Sequence, residues 1–484
     1  MNDSTSAGRA AEVVRHLRHL ADAAPPGRAL PGVRQLCKDL GASPVTVGRA
    51  VSELVAQGVL VSSPGRGTFV APRRTRSAGD TSWQPVALPP ARVDHADVAA
   101  LDPATSMTTA SPADGGRAGR ASSAGPTTTV LSSGYLSADL QPRRALQAAT
   151  ARTARRSSVW AAAPSAGLPE LRELFAAQVG LGAGDVLVTS GSQPALTSIF
   201  RTLASPGDAV AVENPTYPGA LAAVRAAGLR PVPVPTDPSG VRPDLLDSVL
   251  ERTGARLAYL QTHVSNPSGA SLALDRRQQV LAVAARRRAL VVDDDWARHL
   301  ALDRPSPPPL VQDDADGHVV HVSSLAKPVA PSLRVGFVAA RGPVLARLQT
   351  ARTSDELFTS RLLQEVAVEL LASPDWTRHL RQLSRALVAR RDHLLALLAH
   401  LWPASEAPVH RPQAGHHLWV PCPPGTTSQQ VTAAAREVGV VVGDGSASYA
   451  DEPASQHVRL SFGACTEAEA SGAVARLAAA LTVP

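Results

Sequence analysis

Lysine is nearly absent from this chain: of its 48 basic residues only Lys38 and Lys327 are lysine, and the rest are arginine. Where positive charge alone is needed, arginine serves. A lysine that persists therefore marks a place for an amine that can lose its proton and form an imine, which a guanidinium cannot do. Chance survival of two lysines is the other explanation, and composition leaves both open. Cysteine is scarce as well. Cys37, Cys422 and Cys465 are odd in number, far apart and without metal-type spacing. That argues against a structural disulfide or a cysteine-held metal and fits a reducing cytoplasm. No run of eighteen apolar residues occurs, and the first residues, Met1 to Arg9, lack an apolar stretch. Neither a membrane span nor a secretory signal is expected.

What is present is length, apolar content and an uneven charge. With 484 residues and 44% hydrophobic composition, the chain exceeds what one core usually serves, so at least two domains are expected. Residues 1–76 carry 11 Lys/Arg against 5 Asp/Glu, which accounts for nearly all of the chain's net +7. A small basic module attached to an almost neutral large one points to a polyanion as partner of the first.

Apolar spacing is regular over residues 10–76 and then lapses. Residues 77–128 are dominated by Ala, Ser, Pro, Gly, Thr and Asp, with Trp83 the only aromatic, and read as a flexible linker. From about Thr129 onward, apolar strand-like runs alternate with amphipathic stretches; Asp185–Thr189, Ala209–Glu213, Leu257–Gln261, Ala289–Asp293 and Val319–Ser323 are the clearest. This alternation predicts an α/β fold with a largely parallel sheet covered by helices. From about Leu398 a smaller α+β lobe is expected, with a strand at His417–Pro421, a helix from Ser428 and strands near Val440 and Val458.

In the N-terminal module a short helix ends at Leu40-Gly41, and Ser43-Pro44 opens another, serine as cap and proline as first helical residue. Val47, Ala50, Leu54 and Val55 are expected to pack, whereas Thr46, Arg49 and Glu53 share the other face. Two helices joined by a tight turn give helix-turn-helix geometry. Val59-Leu60-Val61 and Thr68-Phe69-Val70, separated by Pro64-Gly65-Arg66-Gly67, form a hairpin wing with a basic tip. The stretch LPGVRQLCKDLGASPVTVGRAVSELVAQGVL, with GRGTFV after it, resembles the winged helix-turn-helix of GntR-type regulators. The resemblance implies DNA contacts by Arg34, Thr46 and Arg49 at the major groove and by Arg66 at phosphate or minor groove. A helical domain with a merely solvated basic face is the alternative, and phosphate contacts rather than base reading remain open for Arg34 and Arg49.

Five short motifs mark the large module, each at the end of an expected strand. Thr189-Ser190-Gly191-Ser192-Gln193 opens a helix, where backbone N–H groups suit a phosphate. Asn214-Pro215-Thr216-Tyr217-Pro218 offers a tyrosine able to lie against an aromatic ring. Ser265-Asn266-Pro267-Ser268-Gly269 offers an amide for a phenolate oxygen. Val291-Val292-Asp293-Asp294-Asp295-Trp296 runs an apolar strand into acids, and strand alternation separates Asp294 from its two neighbours. Ser323-Ser324-Leu325-Ala326-Lys327 is followed by Arg334, a lysine for an imine with serine and arginine for a phosphate. Read singly, the first three have plainer explanations: a tight turn, a packed turn aromatic and an Asn-Pro turn.

Their order resembles the fold-type I aminotransferases, pyridoxal 5'-phosphate (PLP)-dependent proteins, over residues 130–484. The resemblance implies that Gly191, Ser192, Gln193, Ser324 and Arg334 hold the cofactor phosphate and Tyr217 stacks on its ring. It further implies that Asn266 meets O3', Asp294 meets N1, Lys327 forms the Schiff base and Arg459 takes a substrate or effector carboxylate. Asp293 stays open as the ring-nitrogen partner. A GntR-type module, a linker and this fold, in this order, resemble the MocR subfamily of regulators, which implies a domain-swapped homodimer that senses PLP or an amino compound. Two positions depart from the pattern. Trp296 stands where a tyrosine hydroxyl is usual, and Ala326 where a serine is usual, so poor transamination is expected beside retained cofactor binding. Three readings follow: a DNA-binding transcriptional regulator sensing an amino compound through the aldimine on Lys327, an active aminotransferase with a DNA-binding appendage, and a scaffold that only dimerises winged helices.

Overall fold

The computed structural model describes residues 3–22, 24, 27–56, 59–63, 67–70, 128–402 and 409–481. The expected linker, residues 77–128, and the wing tip with Arg66 lie outside the described residues, save Thr128 itself. The chain divides into two compact units, Met1–Ser77 and Ala78–Pro484.

In the first unit helices α1 (Asp3–Asp22), α2 (Val33–Leu40) and α3 (Pro44–Ala56) precede an antiparallel hairpin of β1 (Leu60–Ser63) and β2 (Gly67–Val70). Gly41 ends α2 in the left-handed conformation, φ 57°, which a residue without Cβ adopts at least cost. The side-chain oxygen of Ser43 accepts from the backbone N–H of Thr46 at 3.2 Å and so caps the next helix. Val13, Leu17, Leu36, Val47, Ala50, Leu54, Leu60 and Val70 build one small core. Val55 is not part of it: it is exposed, and Val51 is buried in its stead, because positions 47, 50, 51 and 54 follow the 3.6-residue repeat.

The second unit is built on eight strands: β4 (Val186–Thr189), β5 (Ala209–Asn214), β6 (Arg230–Asp237), β7 (Gly240–Val241), β8 (Leu257–Leu260), β9 (Leu290–Asp294), β10 (Val319–Ser324) and β11 (Gly336–Ala339). Their order in the sheet is β4-β11-β10-β9-β8-β5-β6-β7. Only β11 and β7 run against the rest, so the sheet is mostly parallel, with helices as crossovers. β5, β8, β9 and β10 are buried almost throughout, which explains their near-continuous apolar sequences. Two cores result, one on each sheet face, led by Phe175 and Phe337 and by Phe200 and Tyr259.

A further core belongs to a smaller lobe containing β12 (His417–Pro421), β14 (Gly443–Asp444) and β15 (His457–Ser461), which pair antiparallel. The expected start near residue 398 falls inside one long helix, Pro374–Leu401. That helix already gives Leu383 and Leu387 to the lobe's core, joined by Leu131, Leu136 and Leu140. Thr129–Val130 (β3) pairs with Val440–Val441 (β13). The lobe therefore closes over the first residues of the fold as well as the last, a pairing no local sequence pattern announces.

Candidate functional site

The C-terminal ends of β4, β5, β8, β9 and β10 converge with the small lobe on one pocket of about 270 Å³. Open parallel sheets place ligands at this edge. Tyr217, Asn266, Asp294, Ser324, Lys327, Arg334, Arg459, Ser192 and Gln193 all line it. Gly191 stands just behind. Its φ of 109° favours glycine, and a Cβ there would lie 2.8 Å from the Arg334 guanidinium, which would have to shift. A wider groove of about 720 Å³ beside residues 138–145 contains none of these residues.

The three consecutive acids diverge. Asp294 Oδ2 accepts from the Tyr259 hydroxyl at 2.7 Å and from Gln261 Nε2 at 3.1 Å, while its buried Oδ1 has no partner. Asp293 turns to the other side, to Thr262 Oγ1 at 2.8 Å and His321 Nδ1 at 3.3 Å. Asp295 is held by His263 Nδ1 at 2.9 Å and by Arg298. Only Asp294 of the three lines the pocket, as the alternation of a strand requires. Burial pushes its carboxyl up to about 6, against the lowering effect of the Tyr259 and Gln261 hydrogen bonds.

Lys327 Nζ donates to the carbonyl of Gly134 at 2.7 Å and sits 4.1 Å from the centroid of the Tyr135 ring. Burial lowers its amine to about 8, helped by the charges of Arg459 and Arg334 and opposed by Asp294. About one-tenth of the amine is thus unprotonated and nucleophilic at pH 7, far more than for an ordinary lysine. Arg334 Nη2 donates to the Ser190 carbonyl at 2.7 Å, which aims the guanidinium at the start of helix Ser192–Leu203. Ser192 Oγ is buried there without a partner. Tyr217 keeps its ring position because residue 219 is glycine; a Cβ at Gly219 would lie 2.4 Å from that ring.

Asn266 Oδ1 accepts from Arg459 Nη1 at 3.1 Å, and Arg459 Nη2 donates to the Ser132 carbonyl at 2.7 Å. The Asn266 amide N–H₂ is left as a donor. Trp296 spends its indole N–H on the Val264 carbonyl at 2.8 Å, so it offers the pocket an apolar wall and no hydrogen bond. Ala326 lines the pocket without a polar atom.

Sequence reasoning missed Gly134, Tyr135, Tyr259, Gln261, His416 and His417. One signal was available: tyrosine is nearly as scarce as lysine, with only four in the chain, and Tyr135, Tyr217 and Tyr259 all belong to this site. His416 and His417 are both buried pocket residues. Burial pushes the His416 imidazole down to about 3, with further lowering by Lys327 and Arg459, so it is neutral.

In the N-terminal unit Arg34 and Arg49 are exposed and Thr46 is half-buried, its hydroxyl 2.9 Å from that of Ser43. Among the described residues no cluster of His, Cys, Asp or Glu could hold a metal ion. No described helix is long and apolar enough to cross a membrane.

Residues 127–477 match the family of class I and II aminotransferases, and residues 9–70 match the gntR family of bacterial regulatory proteins. The chain is 26% identical over 452 residues to the uncharacterised HTH-type transcriptional regulator YdfD of Bacillus subtilis, covering 90% of this chain and 88% of that one. It is 30% identical over 321 residues to the 2-aminoadipate transaminase of Thermus thermophilus, covering 66% of this chain and 80% of that one. Among solved structures it is similar to the alpha-aminoadipate aminotransferase LysN of Thermus thermophilus, complexed with N-(5'-phosphopyridoxyl)-L-leucine. The TM-score is 0.70 at 28% identity, over 73% of this chain and 92% of that one.

Proposed function

The chain belongs to the class I and II aminotransferase family and joins that fold to a GntR-type DNA-binding domain; from this premise we propose that it is a transcriptional regulator of MocR type, sensing an amino compound at Lys327. Regulation of transcription with an aminotransferase domain is the function, and pyridoxal 5'-phosphate is the cofactor. The residues present suit that group. Asp294 Oδ1 and Ser192 Oγ are buried without partners, an acceptor for a ring N–H and a donor for a phosphate oxygen. When bound, the cofactor supplies an aldehyde that condenses with primary amines and an electron-withdrawing ring.

The chain's own residues do the rest. Lys327 presents a partly neutral amine. Arg334, Ser192, Gln193, Ser324 and the backbone at Gly191 would hold the phosphate by charge-assisted bonds. Tyr217 would cover the ring, and Asn266 would donate to the phenolic oxygen. Asp294, fixed by Tyr259 and Gln261, would keep the ring nitrogen protonated. Arg459 would bind an effector carboxylate. The free Lys327 amine rests against the Gly134 carbonyl and the Tyr135 ring, and an amino compound would compete with it for the cofactor's aldehyde.

The observation that carries this reading is Lys327 itself, one of two lysines in the chain, lying in the pocket beside Asp294 and Arg334. The site of action is operator DNA in the cytoplasm, bound by a domain-swapped homodimer through Arg34, Thr46, Arg49 and Arg66. Absorbance of the purified full chain tests the proposal. A visible band that disappears in Lys327→Ala and shifts on adding an amino compound is expected; a chain that acquires no band with pyridoxal phosphate contradicts it. Lys327, Asp294 and Arg459 together also favour an active aminotransferase as the second reading, which steady turnover of an amino donor and a keto acid would establish. The wall formed by Trp296 and Ala326, neither with a hydroxyl to offer, supports the regulator.

A further inference from the structure

We propose that the pocket selects an α-amino acid whose side chain ends in an uncharged hydrogen-bond donor, a hydroxyl or a carboxamide N–H, and that Nδ1 of His417 reads it. This rests on the pocket's being an amine-sensing site.

The strand register sets the geometry. His417 pairs with Ser461 and Trp419 with Arg459 across β12 and β15, so His417 and Arg459 are diagonal neighbours on one face of that sheet. A ligand whose carboxylate meets Arg459 and whose amine lies towards Lys327 therefore has His417 beside it, and His417 lines the same pocket. The imidazole is only 4% exposed, and its Nδ1 has no hydrogen-bond partner among the described residues. The Pro267 backbone favours a proton on the ring; since Nδ1 has no partner, that proton is assigned to Nε2 and Nδ1 carries the lone pair. A buried acceptor left without a donor is unfavourable until something supplies one.

The ring has no freedom to find a partner elsewhere. Trp296 stacks on it at 5.3 Å between centroids and 17° between planes. Trp296 is itself fixed by its bond to the Val264 carbonyl at 2.8 Å and packs where a Cβ at Gly415 would intrude, 2.8 Å from the indole. The surroundings then decide which donor fits. Burial, followed by the charges of Arg459 and Lys327, holds the His417 imidazole well below its usual range, so it stays neutral. A cationic side chain would meet Arg459 and Lys327; a carboxylate would face the Nδ1 lone pair. A neutral O–H or N–H satisfies the acceptor and avoids both conflicts.

The test titrates the full chain, loaded with pyridoxal phosphate, with near-isosteric pairs: serine and 2-aminobutyrate, homoserine and norvaline, asparagine and aspartate, glutamine and glutamate. Cofactor absorbance and calorimetric heat are read together. For the pair of matching length, the donor-bearing member is expected to bind about tenfold or more tightly, since a site built to hydrogen-bond a group rejects the analogue lacking it. The preference collapses to about twofold or less in His417→Phe, which keeps the stacking on Trp296, and is partly kept in His417→Gln, whose side-chain carbonyl is again an acceptor. Equal affinity within every pair in the native chain overturns the proposal, as does a preference that survives His417→Phe. If no amino acid changes spectrum or heat, the amine-sensing reading itself falls, and this inference falls with it.

Discussion

The two units of the chain use polar residues in opposite ways. In the N-terminal unit Arg34 and Arg49 stand exposed on helices whose buried side serves only the core. In the large unit the chemical groups are buried and held from behind: Asp294 by Tyr259 and Gln261, Arg334 by the Ser190 carbonyl, Lys327 by Gly134. An exposed surface that meets a polyanion needs charge and register, and water solvates it until the partner arrives. A buried pocket needs a second layer, because each polar atom removed from water must be paired or kept for the ligand. The difference teaches that changes in the first unit should weaken binding in small, separable steps, whereas changes in the second should remove function outright.

The sharpest way to break that contrast is Lys327→Ala. It should abolish the visible absorption of bound pyridoxal phosphate while leaving effector-free DNA affinity within about twofold, since additivity is expected between independent sites; a gel-shift titration beside the spectrum checks both. Next is the pair Asp294→Asn and Asp293→Asn. Only the first removes the negative charge lining the pocket, and it should weaken cofactor affinity by roughly tenfold to a hundredfold, the worth of a charge-assisted hydrogen bond. Asp293→Asn should instead lower thermal stability, because Asp293 is tied to Thr262 and His321 away from the pocket. Titrating pyridoxal phosphate into each variant separates the two outcomes. Arg49→Ala should weaken DNA binding by about tenfold or somewhat more with no change in the cofactor spectrum.

A pH profile sharpens the same comparison. The Lys327 amine is lowered to about 8, and only its neutral form attacks an aldehyde. Cofactor capture should therefore accelerate roughly tenfold per pH unit below that value and level off above it; stopped-flow absorbance on cofactor-stripped protein reads the rate. The smallest effect expected is that of Ser43→Ala. Loss of the cap on Thr46 N–H should cost about 1 kcal/mol in the N-terminal unit, seen as a lower unfolding temperature of that unit with the pocket's spectrum unmoved.

Much of the pocket was legible because its residues end strands. Tyr217, Asn266, Asp294, Ser324 and Lys327 each follow an apolar run, where turn residues and polar groups stand out. The separation of Asp294 from Asp293 and Asp295 followed from alternation alone. What was illegible comes from distant pieces of chain. Gly134 meets Lys327 across 193 residues, and Thr129–Val130 pairs with Val440–Val441, contacts that no local period encodes. Tyr259 and Gln261 read as ordinary strand residues because their work is to hold Asp294, which only the sheet order β9 beside β8 brings near. In the helix-turn-helix, Val55 reads as part of the face formed by Val47, Ala50 and Leu54, whereas the fold turns Val55 outward and buries Val51.

One titration addresses the central claim, that the pocket on Lys327 serves regulation of DNA binding. The full chain, loaded with pyridoxal phosphate and bound to labelled DNA from upstream of its own gene, is titrated with an amino compound while cofactor absorbance and DNA occupancy are followed together. The account predicts that both change over the same concentration range, without net formation of keto acid, and that Lys327→Ala abolishes both responses. A spectral change with continuous turnover and unmoved DNA occupancy would contradict it.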